Sequence, residues 1–339
     1  MFIQFKRKRL CCGMKKWLFF TLISLVLVLS ACSDDADKKA SAEGDVNLRI
    51  GYTSVYSMLG VAVEEGFLEE EFKDDNVDIE YVQFLSGPPL TEAIAGGHLD
   101  FGQIGSQPAV QAVANGVGLS VVGVYASGEK GLGLVVPENS SIQSVEQIKG
   151  KKIGVTVGSL GHRLLNEYLK EYNLQPSDIE LINLQPADLK NALAQGDIDA
   201  AVLYEPWIST AELEKAGKQI SSAEGLFNDY AYYVASNEFA DAHPEILERL
   251  LAVLHKAEEW SKEHPAETID DLNAFFGTQK EILELAVPRK EYDIELTEGA
   301  IEALQETIND LLESKVIRQK VELDEILRSE FLENALKEE

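Results

Sequence analysis

The stretch Lys152-Ile153-Gly154-Val155-Thr156-Val157-Gly158-Ser159-Leu160-Gly161-His162-Arg163 constrains the fold most. Ile153, Val155 and Val157 are β-branched and alternate with smaller residues, as a buried strand allows. Gly158 permits a tight turn, and Ser159 suits a helix N-cap. Leu164, Leu165, Tyr168 and Leu169 then recur with helical spacing. A strand that runs into a helix N-terminus leaves free backbone N–H groups at the positive end of the helix dipole, a seat for an anion or a polar ligand. Most such turns hold nothing. The weight of this one comes from repetition: Ser86-Gly87-Pro88-Pro89 and Gly105-Ser106-Gln107-Pro108 also follow short strand patterns and open helices.

The alternation extends along the chain. Residues 46–52, 77–84, 99–104 and 119–125 read as strands, with helical patterns between them. A second unit repeats the order from about residue 134, with strands at 152–157, 179–184 and 199–204. Both units enter a strand through Gly-x-x-Asp, Gly97 to Asp100 and Gly196 to Asp199. Strands and helices in alternation with short connections predict an α/β chain with mostly parallel, two-faced sheets. After a last extended piece at 230–235 the pattern is helical, led by Ile246, Leu250, Leu251, Leu254, Ala257 and Trp260 on one face. This tail is expected to pack back on the first unit, with crossovers near Leu134 and Tyr233.

Ahead of the folded part, Lys15-Lys16 precede residues 17–29, which carry no charge and many Leu, Phe, Ile and Val. That is the basic start and apolar core of a secretory signal, too short for a comfortable membrane span. Leu29-Ser30-Ala31-Cys32 resembles the lipobox of bacterial lipoproteins. The resemblance implies cleavage before Cys32, acylation of that residue and a lipid anchor on the extracytoplasmic face of the cell membrane. Residues 1–31 are thus expected as signal peptide, with Met14 an alternative start, and 32–46 as lipidated Cys and tether.

The net charge is −28, and all six basic residues before residue 17 lie in the leader, leaving 24 basic against 58 acidic residues, −34, after Cys32. Such a surface argues against nucleic acid as a partner, though a local site can still oppose the global field. The three Cys are Cys11, Cys12 and Cys32. The folded part therefore has no thiol for a disulfide, a metal site or a nucleophile. His98, His243, His255 and His264 show no metal-ligand spacing, so neither metal nor cofactor is expected.

Several fragments in this order resemble the nitrate/sulfonate/taurine group of substrate-binding proteins of ABC importers. They include Phe84-Leu85-Ser86-Gly87-Pro88-Pro89, Ala95-Gly96-Gly97-His98-Leu99-Asp100-Phe101-Gly102 and Gly105-Ser106-Gln107-Pro108. Lys151 to Val155 with Gly158-Ser159, Leu184-Gln185-Pro186-Ala187-Asp188, Tyr204-Glu205-Pro206-Trp207 and Tyr232-Tyr233-Val234-Ala235-Ser236 complete the set. The resemblance, strongest to the aliphatic sulfonate binders, implies a two-lobed type II periplasmic-binding-protein fold with a helical C-terminal region. Lobe 1 is expected from 47–134 and 236–339, and lobe 2 from 135–235. It implies a monomer that closes on a small organic anion, a sulfonate first, and delivers it to a permease and its ATPase. Leu160-Gly161 after Ser159, and Glu205 where Asp is common before Pro-Trp, depart from the sulfonate pattern.

The expected ligand contacts are Tyr52, Ser54, Ser86, Gly87, Ser106, Gln107, Gly158, Ser159, Leu160, Glu205 and Trp207. Tyr52, Tyr56 and Trp207 would stack on an apolar part of the ligand, against a competing role in core packing. Glu205 is a partner for a ligand amino group, an exposed acid or a hinge contact, and Arg163 either an aid to the anion or a solvent-facing residue. Three other functions compete. One is a binder of a thiamine precursor or another heterocycle, and another is a ligand sensor without transport. The third, an enzyme of the pyrimidine-synthase type, needs a Cys-rich iron motif that the folded part lacks.

Overall fold

The computed structural model describes residues 46–337, within the compact unit Glu43–Glu339. The leader, Cys32 and the tether lie outside the described residues. In chain order the first elements are β1 (Val46–Tyr52), α1 (Leu59–Glu64), α2 (Phe67–Phe72), β2 (Val77–Gln83), α3 (Gly87–Ala95), β3 (Phe101–Gly105), α4 (Ser106–Ala114) and β4 (Leu119–Ser127). Next come β5 (Leu132–Val136), β6 (Lys152–Val155), α5 (Leu160–Glu171), β7 (Glu180–Asn183), α6 (Pro186–Gln195), β8 (Ala200–Tyr204), α7 (Trp207–Leu213), β9 (Lys218–Ser222) and β10 (Tyr230–Ser236). The tail holds α8 (Asn237–Ala242), α9 (Pro244–Glu263), α10 (Pro265–Phe276), α11 (Lys280–Ala286), α12 (Glu298–Glu313), α13 (Leu323–Ile326) and α14 (Glu330–Ala335).

The strands form two five-stranded sheets, ordered β2-β1-β3-β10-β4 and β7-β6-β8-β5-β9. In each, the first three strands are parallel and the fourth runs antiparallel to its neighbours. That fourth strand is the one that follows a crossover: β5 comes after residues 128–131 and β10 after residues 223–229. The expected lobe limits are corrected accordingly. Residues 132–134 belong to the second sheet and 230–235 to the first, because Ala231 to Ala235 find their ladder partners on β3 and β4.

The Gly-x-x-Asp repeat has a structural role. Asp100 Oδ2 accepts the backbone N–H of Arg49 at 2.9 Å, and Asp199 Oδ2 that of Lys152 at 2.8 Å. Each carboxylate thereby ties the second strand in the order of its sheet to the third, β1 to β3 and β6 to β8, at the same register point. In the middle of β6 a Cβ on Gly154 would lie 2.5 Å from a Leu189 methyl and 2.7 Å from an Ile198 methyl, so a larger residue would force these buried side chains to move.

Period-two alternation sorts the cores. Along β10, Ala231, Tyr233 and Ala235 face one layer while Tyr232 and Val234 face the other. The tail covers both faces of the first sheet: α9 and α14 close one side with Leu247, Leu250, Leu254, Phe331 and Leu332, and α12 closes the other with Leu304, Ile308 and Leu311. Each fully buried leucine there contributes about 1.5–3 kcal/mol. Six residues separate the end of β1 from the start of α1 at Leu59. Thr53 Oγ1 accepts the Val55 N–H, and Gln103 Nε2 donates to Val55 O at 2.7 Å, so the backbone ahead of α1 is held in a loop by side chains.

Candidate ligand-binding cleft

Three helices start where the sheets face each other. Ser86 precedes α3 and Ser159 precedes α5, both with extended backbone, and Gly105 precedes α4. None of the three makes a side-chain cap hydrogen bond. The hydroxyls of Ser86 and Ser159 are buried and have no hydrogen-bond partner. Leaving such a group unsatisfied costs about 1–3 kcal/mol, so two of them at facing helix starts on different sheets call for a shared acceptor. The first-turn N–H groups of these helices add donors at the positive ends of their dipoles.

The two lobes meet closely here. A Cβ on Gly105 would lie 3.1 Å from Leu160, and one on Gly158 would lie 3.5 Å from Pro88. Gly158 has a φ of +82°, which glycine alone adopts without strain, and this turns the chain from β6 into α5. Its N–H donates to His162 Nδ1 at 3.2 Å. Burial pushes the His162 pKa down, so the imidazole is neutral and braces the turn without adding charge. Gln107, fully buried, brings Nε2 to 3.5 Å from the same ring nitrogen and leaves its Oε1 unpartnered.

Between the sheets lies a cavity with about 40 Å³ of room for water-sized groups. Gly87, Gly105, Ser159 and Leu160 line one side, and Thr53, Gln103, Tyr125, Tyr204, Glu205 and Lys290 the rest. Of the expected contacts, Gly87, Ser159, Leu160 and Glu205 are therefore at the cavity, with Ser86, Ser106, Gln107 and Gly158 in the helix starts around it. Ser54 and Trp207 stand just outside, joined by an indole N–H to Ser54 Oγ bond of 3.2 Å.

Tyr52 and Tyr56 are corrected. Tyr52 shares its strand face with Leu48 and Ile50, which puts its ring 4.8 Å from Phe275 and 5.7 Å from Phe276 under α10. Tyr56 packs edge-on to Phe276 at 5.5 Å. Both serve the core. Arg163 is not solvent-facing: its side chain is 2% exposed, 3.1 Å from Asp310 Oδ2 on α12 and 4.1 Å above the ring of Phe227.

Glu205 is buried and well partnered. Its carboxylate accepts from the Ser209 N–H at 3.1 Å, the Ser209 hydroxyl at 3.0 Å and Arg289 Nη1 at 2.8 Å. Burial pushes its pKa up, against the opposing pull of Ser209 and Arg289. Arg289 also reaches Glu212 on α7 at 2.6 Å, so Glu205 fastens the end of β8 to the tail. Lys290 lines the cavity and pairs with the buried Asp229. The charged groups that line the cavity are thus both held by partners, Glu205 by Arg289 and Lys290 by Asp229, and the helix starts add oriented dipoles.

Sequence reasoning missed Gln103 and Lys290. A glutamine inside the fully buried β3 was a usable signal, because a buried amide needs partners. Lys290 gave none, since tertiary pairing of Ser127 with Glu291 brings that segment to the cleft. Away from the cleft, ligand atoms of His255, Glu258 and Glu259 lie within 4.8 Å of one another. The Lys262 ammonium already sits 2.6 Å from each of the two carboxylates.

Comparison with known proteins places this geometry. The family model described as NMT1/THI5 like matches residues 54–268. A Bacillus subtilis (strain 168) protein named as an aliphatic sulfonates-binding protein is 31% identical over 332 residues, covering 96% of this chain and 98% of its own. Among solved structures, the alkanesulfonate-binding protein SsuA from Xanthomonas axonopodis pv. citri, bound to MOPS, superposes with a TM-score of 0.78 at 28% identity. That match covers 85% of this chain and 100% of the SsuA chain. The desulfurization enzyme DSZB, at 18% identity and a TM-score of 0.67, shares the fold alone. The fold is the two-lobed type II periplasmic-binding-protein fold, and the chain belongs to the NMT1/THI5-like family.

Proposed function

We propose that this chain is the extracytoplasmic substrate-binding lipoprotein of an ABC importer, and that it captures a small organic anion, a sulfonate first, between its lobes. The observation that carries this reading is the pair of buried, unpartnered hydroxyls of Ser86 and Ser159 at facing helix starts on opposite lobes. A sulfonate oxygen accepts from both, and the first-turn N–H groups of α3, α4 and α5 supply further donors. The similarity to sulfonate-binding relatives supports the same choice. Closing the lobes brings the two halves of the donor set together, and the closed form is what a permease would recognise. The same proposal has the chain act by binding rather than chemistry, which its similarity to sulfonate-binding proteins supports. Delivery to a permease and its ATPase, attachment through Cys32 and a monomeric state belong to the same proposal.

The test is thermal denaturation of the chain from Ser33 onward with methanesulfonate, ethanesulfonate, taurine, nitrate, thiamine-pyrimidine precursors and riboflavin. A ligand at 100 times its Kd adds about 2.7 kcal/mol, a shift of several degrees. A sulfonate should stabilise the protein, and Ser159→Ala should blunt that shift. A shift with a flat heterocycle alone would overturn the anion reading and turn attention to Tyr125 and Tyr204, which line the cavity.

A further inference from the structure

The inner cavity and a second space are lined by neighbouring residues of the same two chain segments. The loop Thr53-Ser54-Val55 presents Thr53 and Val55 inward and Ser54 outward. At the end of β8, Glu205 faces in while Pro206 and Trp207 face out. The outer space is a groove of about 390 Å³ bordered mainly by apolar groups, among them Phe84, Leu85, Phe276 and Ile282. These two segments belong to different lobes, and on the groove side the Trp207–Ser54 hydrogen bond of 3.2 Å joins them. The inner cavity, at about 40 Å³, has room for only three or so water-sized groups at about 10–15 Å³ each. The three oxygens of a sulfonate headgroup take up that room, which leaves little for an alkyl chain. The outer groove is roughly ten times larger, opens beside an exposed Leu85, and has no polar atom among those left buried without a partner.

Resting on the sulfonate reading above, we propose that Trp207 is a specificity-determining residue that fixes ligand length. Held on Ser54, its indole closes the tail end of the inner cavity, so the chain selects the shortest alkanesulfonates. When that wall is removed the alkyl tail of a longer sulfonate runs into the outer groove. The half-buried indole makes its hydrogen bond across the lobe boundary, so the wall is complete only when the lobes are closed. Length is therefore read at the closing step and not at first encounter.

The experiment is isothermal titration of the chain from Ser33 onward with sodium methane-, ethane-, butane-, hexane- and octanesulfonate. The wild type is compared with Trp207→Ala and Ser54→Ala, and ligand-free melting of each variant checks its fold. In the wild type, affinity should peak at one or two carbons and fall at least tenfold by hexanesulfonate. In Trp207→Ala it should instead climb by about fourfold per methylene beyond ethane, as burial of each CH₂ predicts. Ser54→Ala keeps the ring but frees it, and should show a smaller gain for the long chains; it also carries the test if Trp207→Ala does not fold. A wild type that binds octanesulfonate as tightly as ethanesulfonate would overturn the proposal, as would a Trp207→Ala profile parallel to that of the wild type. Either leaves sulfonate binding standing. Absence of binding by every sulfonate in every variant would overturn the sulfonate reading itself, and the length rule with it.

Discussion

Arg163 is a fully buried cation on α5, and its partners lie on the other lobe. Its guanidinium reaches Asp310 Oδ2 at 3.1 Å on α12 and Ser106 Oγ at 3.4 Å on α4. Phe227, under the guanidinium at 4.1 Å, packs in the same core cluster as Leu164 and Tyr168 of α5, so this contact is within lobe 2. Only the Asp310 and Ser106 contacts depend on closure. Arg163→Met keeps most of the apolar volume and removes those two. A charge-assisted hydrogen bond contributes about 1.5–3 kcal/mol, and the Ser106 contact is long enough to add little. Asp310 is 27% exposed, so water partly re-solvates it when the cation is gone, which holds the loss to about 2 kcal/mol. That loss falls on the closed state and weakens ligand binding by about 30-fold. Titration with ethanesulfonate measures the change in Kd, and small-angle scattering of the liganded chain reports whether closure is lost. A Kd within threefold of wild type would refute the reasoning. So would a lowered melting temperature at unchanged affinity, which would make Arg163 a packing element of one lobe.

Two further outcomes follow from charge and from the leader. Burial beside Glu65, Glu64, Asp270 and Glu267 raises the Asp271 pKa to about 6 from 3.8, so the folded state binds the proton more tightly than the unfolded one. The associated stability is present below pH 3.8 and is lost as pH rises through about 6. Asp271→Asn should therefore raise the melting temperature at pH 7.5 by a few degrees, about 1 kcal/mol once solvent screening of this partly exposed site is allowed for, and change nothing at pH 3.5. A stabilisation of equal size at both pH values would contradict it. In the full chain, Cys32→Ala should move the protein from the membrane fraction to the soluble one, read by fractionation and mass spectrometry of the mature N-terminus. Retention in the membrane would refute lipid anchoring through this residue.

The elements were legible where local chemistry decides them. β6 follows from the alternation at Ile153 and Val155, and the start of α5 from Gly158-Ser159. The serines before α3 and α5 stand at N-cap positions as their residue type suggests, yet neither side chain caps its helix. An N-cap serine normally spends its hydroxyl on the helix, and here both hydroxyls are kept for something else. That difference carries the functional reading, and no sequence pattern distinguishes a capping serine from a reserved one. The lobe limits were illegible for a different reason. β10 is adjacent in sequence to lobe 2 but completes the sheet of lobe 1, pairing with β3 more than a hundred residues earlier. Its two apolar faces would suit any central strand, so only the long-range ladder decides where it goes. Tyr52 was legible after all, because the face it occupies is fixed by Leu48 and Ile50 at the same period.

The strongly acidic composition and the anion seat are compatible because they act over different distances. At physiological ionic strength exposed charges are screened beyond about 8 Å, so most of the −34 carried after Cys32 is not felt inside the closed cleft. The charged groups at the cleft are paired: Glu205 with Arg289, which also holds Glu212, Lys290 with Asp229, and Arg163 with Asp310. The neutral His162 adds nothing. The local field at Ser86 and Ser159 is then set by three helix starts, whose dipoles all point their positive ends toward the cavity. A free cation in their place would hold an anion more tightly but would also favour the doubly charged form of phosphate. A donor array of N–H and hydroxyl groups favours an acceptor that stays singly charged across the physiological pH range, a condition that the proposed sulfonate meets.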